Sequence, residues 1–354
     1  MNAEFIEALE EIERDKGIPK EVIFEALEAA LISSYRKNFG TSQNVEVIVD
    51  RETGNVEVYA KKTVVEEVKN SLLEIDLEEA KKIDDKYKLG DIVMIKITPR
   101  NFGRIAAQTA KQVVIQRIKD AERDVIYEEF VNRENEIITG LVQRISKNIV
   151  YVDLGKTEGI LPPTEQIEGE VYNQGDRIKL YILEVKKTTK GPQIILSRSH
   201  PGLVKRLFEL EVPEIHDGIV EIYAISREAG SRTKIAVYSK DPNVEPVGAC
   251  VGIKGSRVKA IVDELNGEKI DIVVWSKNIE EFIANSLSPS SVLKVEIDEK
   301  NKTALVVVPD YQLSLAIGKE GQNARLAAKL TNWKIDIKSE SQYKAMLENQ
   351  NKSS

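Results

Sequence analysis

The sequence predicts a multidomain α+β protein, because three different patterns follow one another along its 354 residues. The first part mixes amphipathic helices with alternating strands. A run of short strands separated by glycine and proline follows, and the last part contains one segment twice. A chain of this length accommodates about two to four domains of roughly 100 to 200 residues each. We therefore expect several modules joined in series.

The N-terminal part is predicted to be an α+β domain over residues 1–132. Apolar residues at three- and four-residue spacing after Pro19 predict a helix over 19–38. Two alternating runs joined by the sequence RETGN predict a hairpin, and residues 92–97 predict a third strand. A helical pattern without proline or glycine then runs from residue 104 to about 131. The domain is therefore expected to end in a long connecting helix.

Residues 133–199 are predicted to form a small β-barrel. About five short strands lie within roughly 65 residues, which is typical of a closed barrel such as the OB-fold. Gly140, a VDLG turn, a Gly-Ile-Leu strand and then Gly175-Asp176 follow one another in an order that resembles the S1-type OB barrel, an RNA-binding variant.

Barrels of this kind bind single strands through exposed aromatic rings beside a cationic groove. Tyr151 is the candidate ring here, and packing within the barrel is the alternative role for it. The loop after Leu161 reads PPTE and lacks an aromatic residue or a histidine. Arg144 and Lys147 fit a solvated face equally well. The candidate RNA-binding residues of the barrel are Tyr151, Arg144, Lys147 and Arg198.

The most informative feature is the internal repeat. Gly252 and Gly255 match Gly318 and Gly321, 66 residues further on, and each copy has the order helix, strand, strand, helix, G-x-x-G, helix, strand. Glycine leaves no Cβ between a ligand and the backbone N–H groups, and the amides at a helix start attract phosphate. KH domains use such a loop to hold about four nucleotides of single-stranded RNA. The repeat predicts two tandem KH domains.

Basic residues lie within each glycine pair and shortly after it, and they supply local positive charge. Tight structural turns would explain the glycines but not the cations beside them. The second loop also has amide side chains that can bind sugars or base edges. The predicted RNA-binding residues of the two loops are Gly252, Ile253, Lys254, Gly255, Ser256, Arg257, Lys259, Gly318, Lys319, Glu320, Gly321, Gln322, Asn323 and Arg325. We assign 200–276 and 277–341 to the two domains.

An α+β head, an S1 barrel and two KH units in this order resemble the NusA family of bacterial transcription termination/antitermination factors over residues 1 to about 340. The sequences LSRSHPG at 196–202 and PRNFGRIA at 99–106 are similar to the family's domain junctions. The resemblance implies type II KH domains of αββααβ topology, which agrees with the order of elements above. Some family members continue into acidic C-terminal repeats, and we do not expect the functions of those repeats in a chain that stops at Ser354.

The resemblance also implies partners. The N-terminal domain would bind RNA polymerase, and the barrel and KH domains would bind single-stranded nascent RNA. The factor would then modulate pausing, intrinsic termination and antitermination, together with other Nus-type elongation and antitermination factors. Arg104, near the start of the long helix, is predicted to contact polymerase or the RNA that leaves it.

The distribution of charge fits this division. The chain has 51 Lys and Arg against 58 Asp and Glu, a net charge of −7, and residues 1–130 hold all of that excess. An acidic head would repel RNA and suits a protein partner, although a solvated helix face is the alternative. Residues 131–354 sum to zero, so basic patches can still face a polyanion there.

The sequence argues against an enzyme. It contains no NTPase loop of the form G-x-x-x-x-G-K-[ST]. His200 and His216 are the only histidines and are isolated from each other, and Cys250 lies in an apolar run typical of a buried thiol. We expect no catalytic residue, no metal site and no cofactor. The alternative function is an RNA-processing or ribosome-associated RNA adaptor that uses the same S1 and KH modules.

The remaining expectations concern location and assembly. No apolar run is long enough to span a membrane, and the acidic N-terminus is unlike a signal peptide. A single cysteine excludes an internal disulfide and favours a cytoplasmic protein. We expect a monomer, and residues 342–354 are predicted to be a disordered tail.

Overall fold

The computed structural model describes residues 3–39 and 44–353, and the chain forms two compact units, Met1–Val125 and Ile126–Ser354. The first unit packs helices on one four-stranded sheet, in which β2 pairs with β1, β3 and β4. Its elements are α1 (Ala3–Lys16), α2 (Lys20–Phe39), β1 (Val45–Val49), β2 (Val56–Val65), β3 (Glu74–Asp76), α3 (Leu77–Ile83), β4 (Ile92–Lys96) and most of α4 (Phe102–Val131).

The core of the first unit follows from its amphipathic patterns. On α2, Phe24, Leu27 and Leu31 are fully buried, and they cluster with Val47 and Val58 of the hairpin. The predicted helices, hairpin and third strand are confirmed. The short elements β3 and α3 have no counterpart in the prediction.

The second unit begins with a closed barrel in the order β5-β6-β7-β9-β8, in which β8 also pairs with β5. Two glycines permit the close packing of this barrel. A Cβ on Gly140 would lie 2.3 Å from Val152 Cγ1, and one on Gly159 would lie 2.6 Å from Leu196 Cδ1. All five predicted strands are confirmed: β5 (Ile137–Ser146), β6 (Ile149–Asp153), β7 (Glu158–Leu161), β8 (Arg177–Thr188) and β9 (Gly191–Ser197).

Two units of αββααβ order follow, as the repeat predicts. Each has a three-stranded sheet whose first pair is antiparallel and whose second pair is parallel. The first KH unit comprises α5 (Pro201–Glu211), α6 (Pro213–His216), β10 (Val220–Glu228), β11 (Arg232–Ser239), α7 (Pro246–Val251), α8 (Ser256–Glu264) and β12 (Lys269–Val274). The second KH unit comprises α9 (Ile279–Ser286), β13 (Lys294–Asp298), β14 (Thr303–Val308), α10 (Leu313–Ile317), α11 (Gln322–Thr331) and β15 (Lys334–Ser339).

The two KH units share an apolar seam. Ala236 and Val273 of the first sheet are buried together with Phe282 of α9 and Leu330 of α11. The sheet face of the first unit is therefore covered by helices of the second. This packing places the two glycine loops in one body.

The structure differs from the prediction at the C-terminal tail, because a helix, α12 (Glu340–Ser353), follows β15. The Tyr343 hydroxyl donates to Glu296 Oε1 at 2.6 Å, and Ser341 N donates to Asp310 Oδ1 at 3.0 Å. These contacts with the second KH unit hold the first turn of a segment that has no useful apolar period. Ser354 lies outside the described residues. Within 3–39 and 44–353, no helix is long and apolar enough to cross a membrane.

Candidate nucleic-acid interface

The two glycine loops have nearly the same backbone. Gly252 has φ 72° and ψ 177°, and Gly318 has φ 77° and ψ 169°, a region that only glycine commonly adopts. The central residues Lys254 and Glu320 are both left-handed, with φ of 53° and 54°. The sequence repeat is therefore a repeat of loop geometry.

The first glycine of each loop is also required by close packing. A Cβ on Gly318 would lie 2.7 Å from Asn323 N, and one on Gly252 would lie 2.7 Å from Arg257 Cγ. A Cβ on Gly255 would meet no atom within 4 Å. The second glycine is thus favoured by its left-handed backbone and by open space, which leaves room for a ligand beside the helix start.

The first loop presents its side chains to solvent. Ile253 is 85% exposed, and Lys254, Ser256 and Lys259 are exposed as well. Two lysines and an apolar side chain therefore surround the start of α8, which has no side-chain cap. This combination can bind a phosphate and the apolar face of a base.

Arg257 has a different place. Its Nη1 donates to Glu214 Oε2 at 2.8 Å and to the carbonyl of Ala249 at 2.6 Å. The guanidinium thereby ties α8 to α6 and α7. The Arg257 guanidinium therefore supports the loop from inside the protein, and its Nη1 already donates to internal acceptors.

In the second loop, Lys319 and Glu320 are exposed, but the predicted role of Asn323 is wrong. Asn323 is only 4% exposed, and its Nδ2 donates to the carbonyls of Leu287 and Ala316, both at 3.0 Å. This side chain joins α11 to α9 and α10. Because it is buried and bonded internally, it cannot reach a sugar or a base edge. Asn323 corresponds in the repeat to Arg257, which anchors the first loop in the same way.

The side chains of Gln322 and Arg325 turn toward the first KH unit. Arg325 Nε donates to Glu228 Oε1 at 2.6 Å, and Gln322 Nε2 donates to Glu228 Oε2 at 2.9 Å. The hydrogen bond from Arg325 lowers the pKa of the Glu228 carboxyl. Of the cations predicted in the second loop, Lys319 is the one that faces solvent without such a partner among the described residues.

On the barrel, the structure brings Arg144 and Tyr151 together. They are cross-strand neighbours, and Arg144 Cζ lies 3.5 Å from the centroid of the Tyr151 ring. Arg144 Nη2 also donates to both carboxylate oxygens of Glu158, at 2.9 and 3.1 Å. The guanidinium thus covers one face of the ring. Lys147 is exposed in the β5–β6 turn, where its φ is 51°.

Arg198 does not belong to that surface, so its predicted RNA contact is wrong. Its side chain is 1% exposed and is paired with Glu170 and with Glu264, the latter at 3.3 Å. A guanidinium enclosed in this way holds the barrel to α8. The local sequence gives no signal of it, because the partners are 28 and 66 residues away.

A cleft of about 360 Å³ beside the second loop brings in residues that the motif analysis missed. Arg232 and Lys269 of the first KH unit line it together with Gly318 and Lys319 of the second. Arg232 is held by Asp271 at 2.8 and 3.1 Å, and Lys269 is exposed. Only the packing of the two units reveals these cations, since they belong to no glycine motif.

The other predicted residue, Arg104, is exposed on the first turn of α4 and stays a prediction. Among the residues that the structure describes, no three His, Cys, Asp or Glu side chains are grouped so as to hold a metal ion. Cys250 is buried, and burial raises the pKa of its thiol to about 12. Apart from Glu320, the exposed side chains of the two loops that could meet a ligand are mainly cationic or apolar.

Four family models together match most of residues 4–345. The NusA N-terminal domain matches residues 4–124, and the S1 RNA binding domain matches 132–199. The NusA-like first KH domain matches 198–275, and the NusA-like second KH domain matches 279–345. The predicted multidomain fold class is confirmed in content and in order.

Relatives of similar length also match. The transcription termination/antitermination protein NusA of Halalkalibacterium halodurans is 63% identical over 97% of this chain and 90% of its own length. That of Bacillus subtilis is 62% identical over 96% of this chain and 92% of its own. That of Thermus thermophilus is 43% identical over 95% of this chain and 89% of its own length.

Proposed function

The chain belongs to the NusA family of transcription termination/antitermination proteins, and from that membership we propose that it is an RNA-binding transcription elongation factor. It binds RNA polymerase through its first unit. It binds single-stranded nascent RNA through the barrel and the two KH units. By holding transcript and enzyme together, it modulates pausing, intrinsic termination and antitermination.

The observation that carries the RNA-binding part is the matched pair of glycine loops. In both, the helix start has no side-chain cap, and Lys254, Lys259 and Lys319 lie beside it without an internal partner among the described residues. A phosphodiester chain presents the charge that these groups bind, and it needs the open space that the second glycine of each loop leaves. Two such loops in one body suit an extended single strand.

The first unit is assigned to the polymerase because it has the opposite charge balance. Residues 1–130, which contain this unit, carry the whole net negative charge of the chain, and this disfavours direct RNA binding and favours a protein surface. Arg104 is the residue proposed to lie at the polymerase or at the emerging RNA. Co-sedimentation with core polymerase tests the assignment: a chain without residues 1–125 should lose the polymerase and keep RNA. Retained polymerase binding would contradict this division.

A transcription assay tests the function as a whole. Single-round transcription by a bacterial RNA polymerase on a template with an intrinsic terminator should show altered pausing and readthrough when the protein is added. The double variant Lys254→Asp, Gly255→Asp should have a weaker effect at equal concentration. The double variant Lys300→Asp, Asn301→Asp in the β13–β14 turn makes the same charge change of about −3 outside the loops and serves as the control, with Lys300→Asp alone as its milder form. No effect of folded wild-type protein on pausing or termination would refute the proposal.

The alternative, an RNA-processing or ribosome-associated adaptor, has its own readouts. Labelled RNA incubated with the protein, Mg²⁺ and phosphate stays intact under the proposed function, whereas shortening of the RNA would indicate a processing enzyme. Co-purification with ribosomes in place of polymerase would indicate the adaptor. If the protein co-purifies with polymerase and the RNA stays intact, the result supports a transcription elongation factor.

A further inference from the structure

Glu228, the last residue of β10, receives three hydrogen bonds from the second KH unit. Oε1 accepts from Arg325 Nε at 2.6 Å, and Oε2 accepts from Arg325 Nη2 at 3.1 Å and from Gln322 Nε2 at 2.9 Å. The donors lie 97 and 94 residues further along the chain. This forked, charge-assisted geometry is directional, so it specifies an orientation as well as a contact.

Arg325 also reaches the second glycine loop. Its Nη1 donates to the backbone carbonyl of Glu320 at 2.9 Å, and Glu320 is the left-handed residue of that loop. Gln322, the first residue of α11, donates as well to Ser231 Oγ at 2.7 Å. One guanidinium therefore links the loop backbone of the second unit to a carboxylate of the first.

The first repeat shows that the KH fold itself does not require these contacts. At an offset of 66 residues, Lys259 corresponds to Arg325 and Ser256 to Gln322. Both are exposed, and within the described residues neither side chain makes a hydrogen bond or an ion pair. The same two positions thus face solvent in the first unit and face the other unit in the second.

The exposure of the pair indicates what it can and cannot do. The Arg325 side chain is 46% exposed and that of Glu228 is 23% exposed. Water screens such an ion pair, so it contributes little to the stability of the fold. The apolar seam of Ala236, Val273, Phe282 and Leu330 supplies the attraction between the units. An apolar seam is non-directional, so polar contacts set the angle. Lys234 Nζ donates to the Ser288 carbonyl at 2.7 Å and Asn285 Nδ2 to the Val274 carbonyl at 3.2 Å, both beside the seam. Of these contacts, the Glu228 group is the one that reaches the second glycine loop.

We propose that Glu228 is a positioning residue that, through Arg325, holds the second glycine loop at a fixed distance from the first, so that one RNA strand can occupy both loops. The proposal rests on the proposed RNA-binding function. Arg325 is then a link between units and not a contact to RNA. Preset spacing raises affinity for long RNA because the second loop binds in an intramolecular step.

The charge change makes the variant Glu228→Gln decisive. It removes a negative charge near the RNA, so electrostatics alone predicts unchanged or tighter binding. Positioning predicts the opposite: roughly tenfold weaker binding of an RNA long enough for both loops, and unchanged binding of a five-nucleotide RNA. Glu299→Gln, exposed in the β13–β14 turn, removes the same charge as a control. Lys259→Gln should weaken the binding of the long RNA and of the five-nucleotide RNA alike.

A distance measurement tests the spacing without RNA. Spin labels on Lys254→Cys and Lys319→Cys report the separation of the loops. Cys250 is fully buried, and protein with Cys250 as its only cysteine serves as the check that this thiol takes up no label. The distance distribution should be narrow in otherwise wild-type protein and broad in Glu228→Gln. An unchanged distribution, or equal or tighter binding of the long RNA, overturns the inference. Failure of wild-type protein to bind the long RNA would instead overturn the proposed function.

Discussion

Arg198 and Glu264 join the barrel to the first KH unit at two points. Arg198 Nη1 lies 3.3 Å from Glu264 Oε1, and Nη2 donates to the Glu264 carbonyl at 3.0 Å. Arg198 also pairs with Glu170, which is 4% exposed. Tyr172 and Asn266 also donate hydrogen bonds to Glu170, but both are neutral. Loss of Arg198 would therefore leave the Glu170 carboxylate buried without a countercharge.

Replacing Arg198 by Met should therefore destabilise the protein by about 3 to 5 kcal/mol, since the buried Glu170 loses its cationic partner. Urea unfolding measures the change. Arg144→Met is the matched control, because its ion pair with Glu158 is half exposed, and it should cost about 0 to 1 kcal/mol. Similar losses in the two variants would show that the Arg198 network is not structural.

The two glycines of one loop should differ in their tolerance of alanine. Gly321→Ala adds a Cβ 3.8 Å from Arg325 Nη1, an ordinary van der Waals distance, and should cost about 1 kcal/mol for the left-handed backbone. Gly318→Ala places a Cβ 2.7 Å from the backbone nitrogen of Asn323 and should cost at least about 3 kcal/mol. Urea midpoints measure both variants. Equal losses would contradict the close packing of the first glycine.

Glu320 occupies in the second loop the position that Lys254 has in the first. Glu320→Lys should therefore tighten single-stranded RNA binding and steepen its salt dependence by about 0.7 in log–log slope, the value for one added phosphate contact. The backbone accommodates lysine, because Lys254 has nearly the same φ. Fluorescence anisotropy across a salt series measures this, with Glu299→Lys as the control. An unchanged log–log slope would show that RNA does not contact the second glycine loop.

His200 should make stability depend on pH. Burial lowers its pKa below the ordinary 6.5, with Arg227 contributing in the same direction and Glu165 opposing. Its Nδ1 accepts a hydrogen bond from Gly202 N at 3.0 Å at the start of α5. The folded state thus prefers the neutral ring, so this stabilisation is complete above 6.5 and is lost as the pH falls through the lowered pKa.

The variant His200→Asn isolates that effect. Its side-chain oxygen can accept the same hydrogen bond but does not titrate. Unfolding free energies measured downward from neutral pH should fall for wild type before the carboxylates titrate, and the early fall should be absent in the variant. Identical slopes in this window would mean that His200 titrates normally in the folded state.

Local pattern predicted much of this molecule, because strand alternation, helical spacing and the glycine repeat are properties of short segments. The barrel strands and both glycine loops follow from such segments. The roles of Arg198, Asn323 and Arg325 do not, since each depends on partners that only tertiary packing brings near. A basic or amide residue beside a glycine loop looks the same in sequence whether it faces solvent or a neighbouring helix.

Two smaller differences have local causes. The strand β3 has three residues, too few for an alternating pattern, and α3 begins where Asp76 accepts a hydrogen bond from Glu78 N. The helix at the C-terminus is held by contacts to Glu296 and Asp310 in other parts of the second KH unit. The polar composition of residues 342–354, taken alone, favours disorder.

The most direct test of the central claim, that the glycine loops hold the RNA backbone, is the affinity for single-stranded RNA as a function of salt. The double variant Lys254→Asp, Gly255→Asp is compared with wild type and with the control Lys300→Asp, Asn301→Asp. The account predicts weaker binding and a shallower log–log slope for the double variant, because lost phosphate contacts release fewer counterions, and wild-type behaviour for the control. Unchanged affinity and slope in the double variant would show that the first loop is only a structural turn.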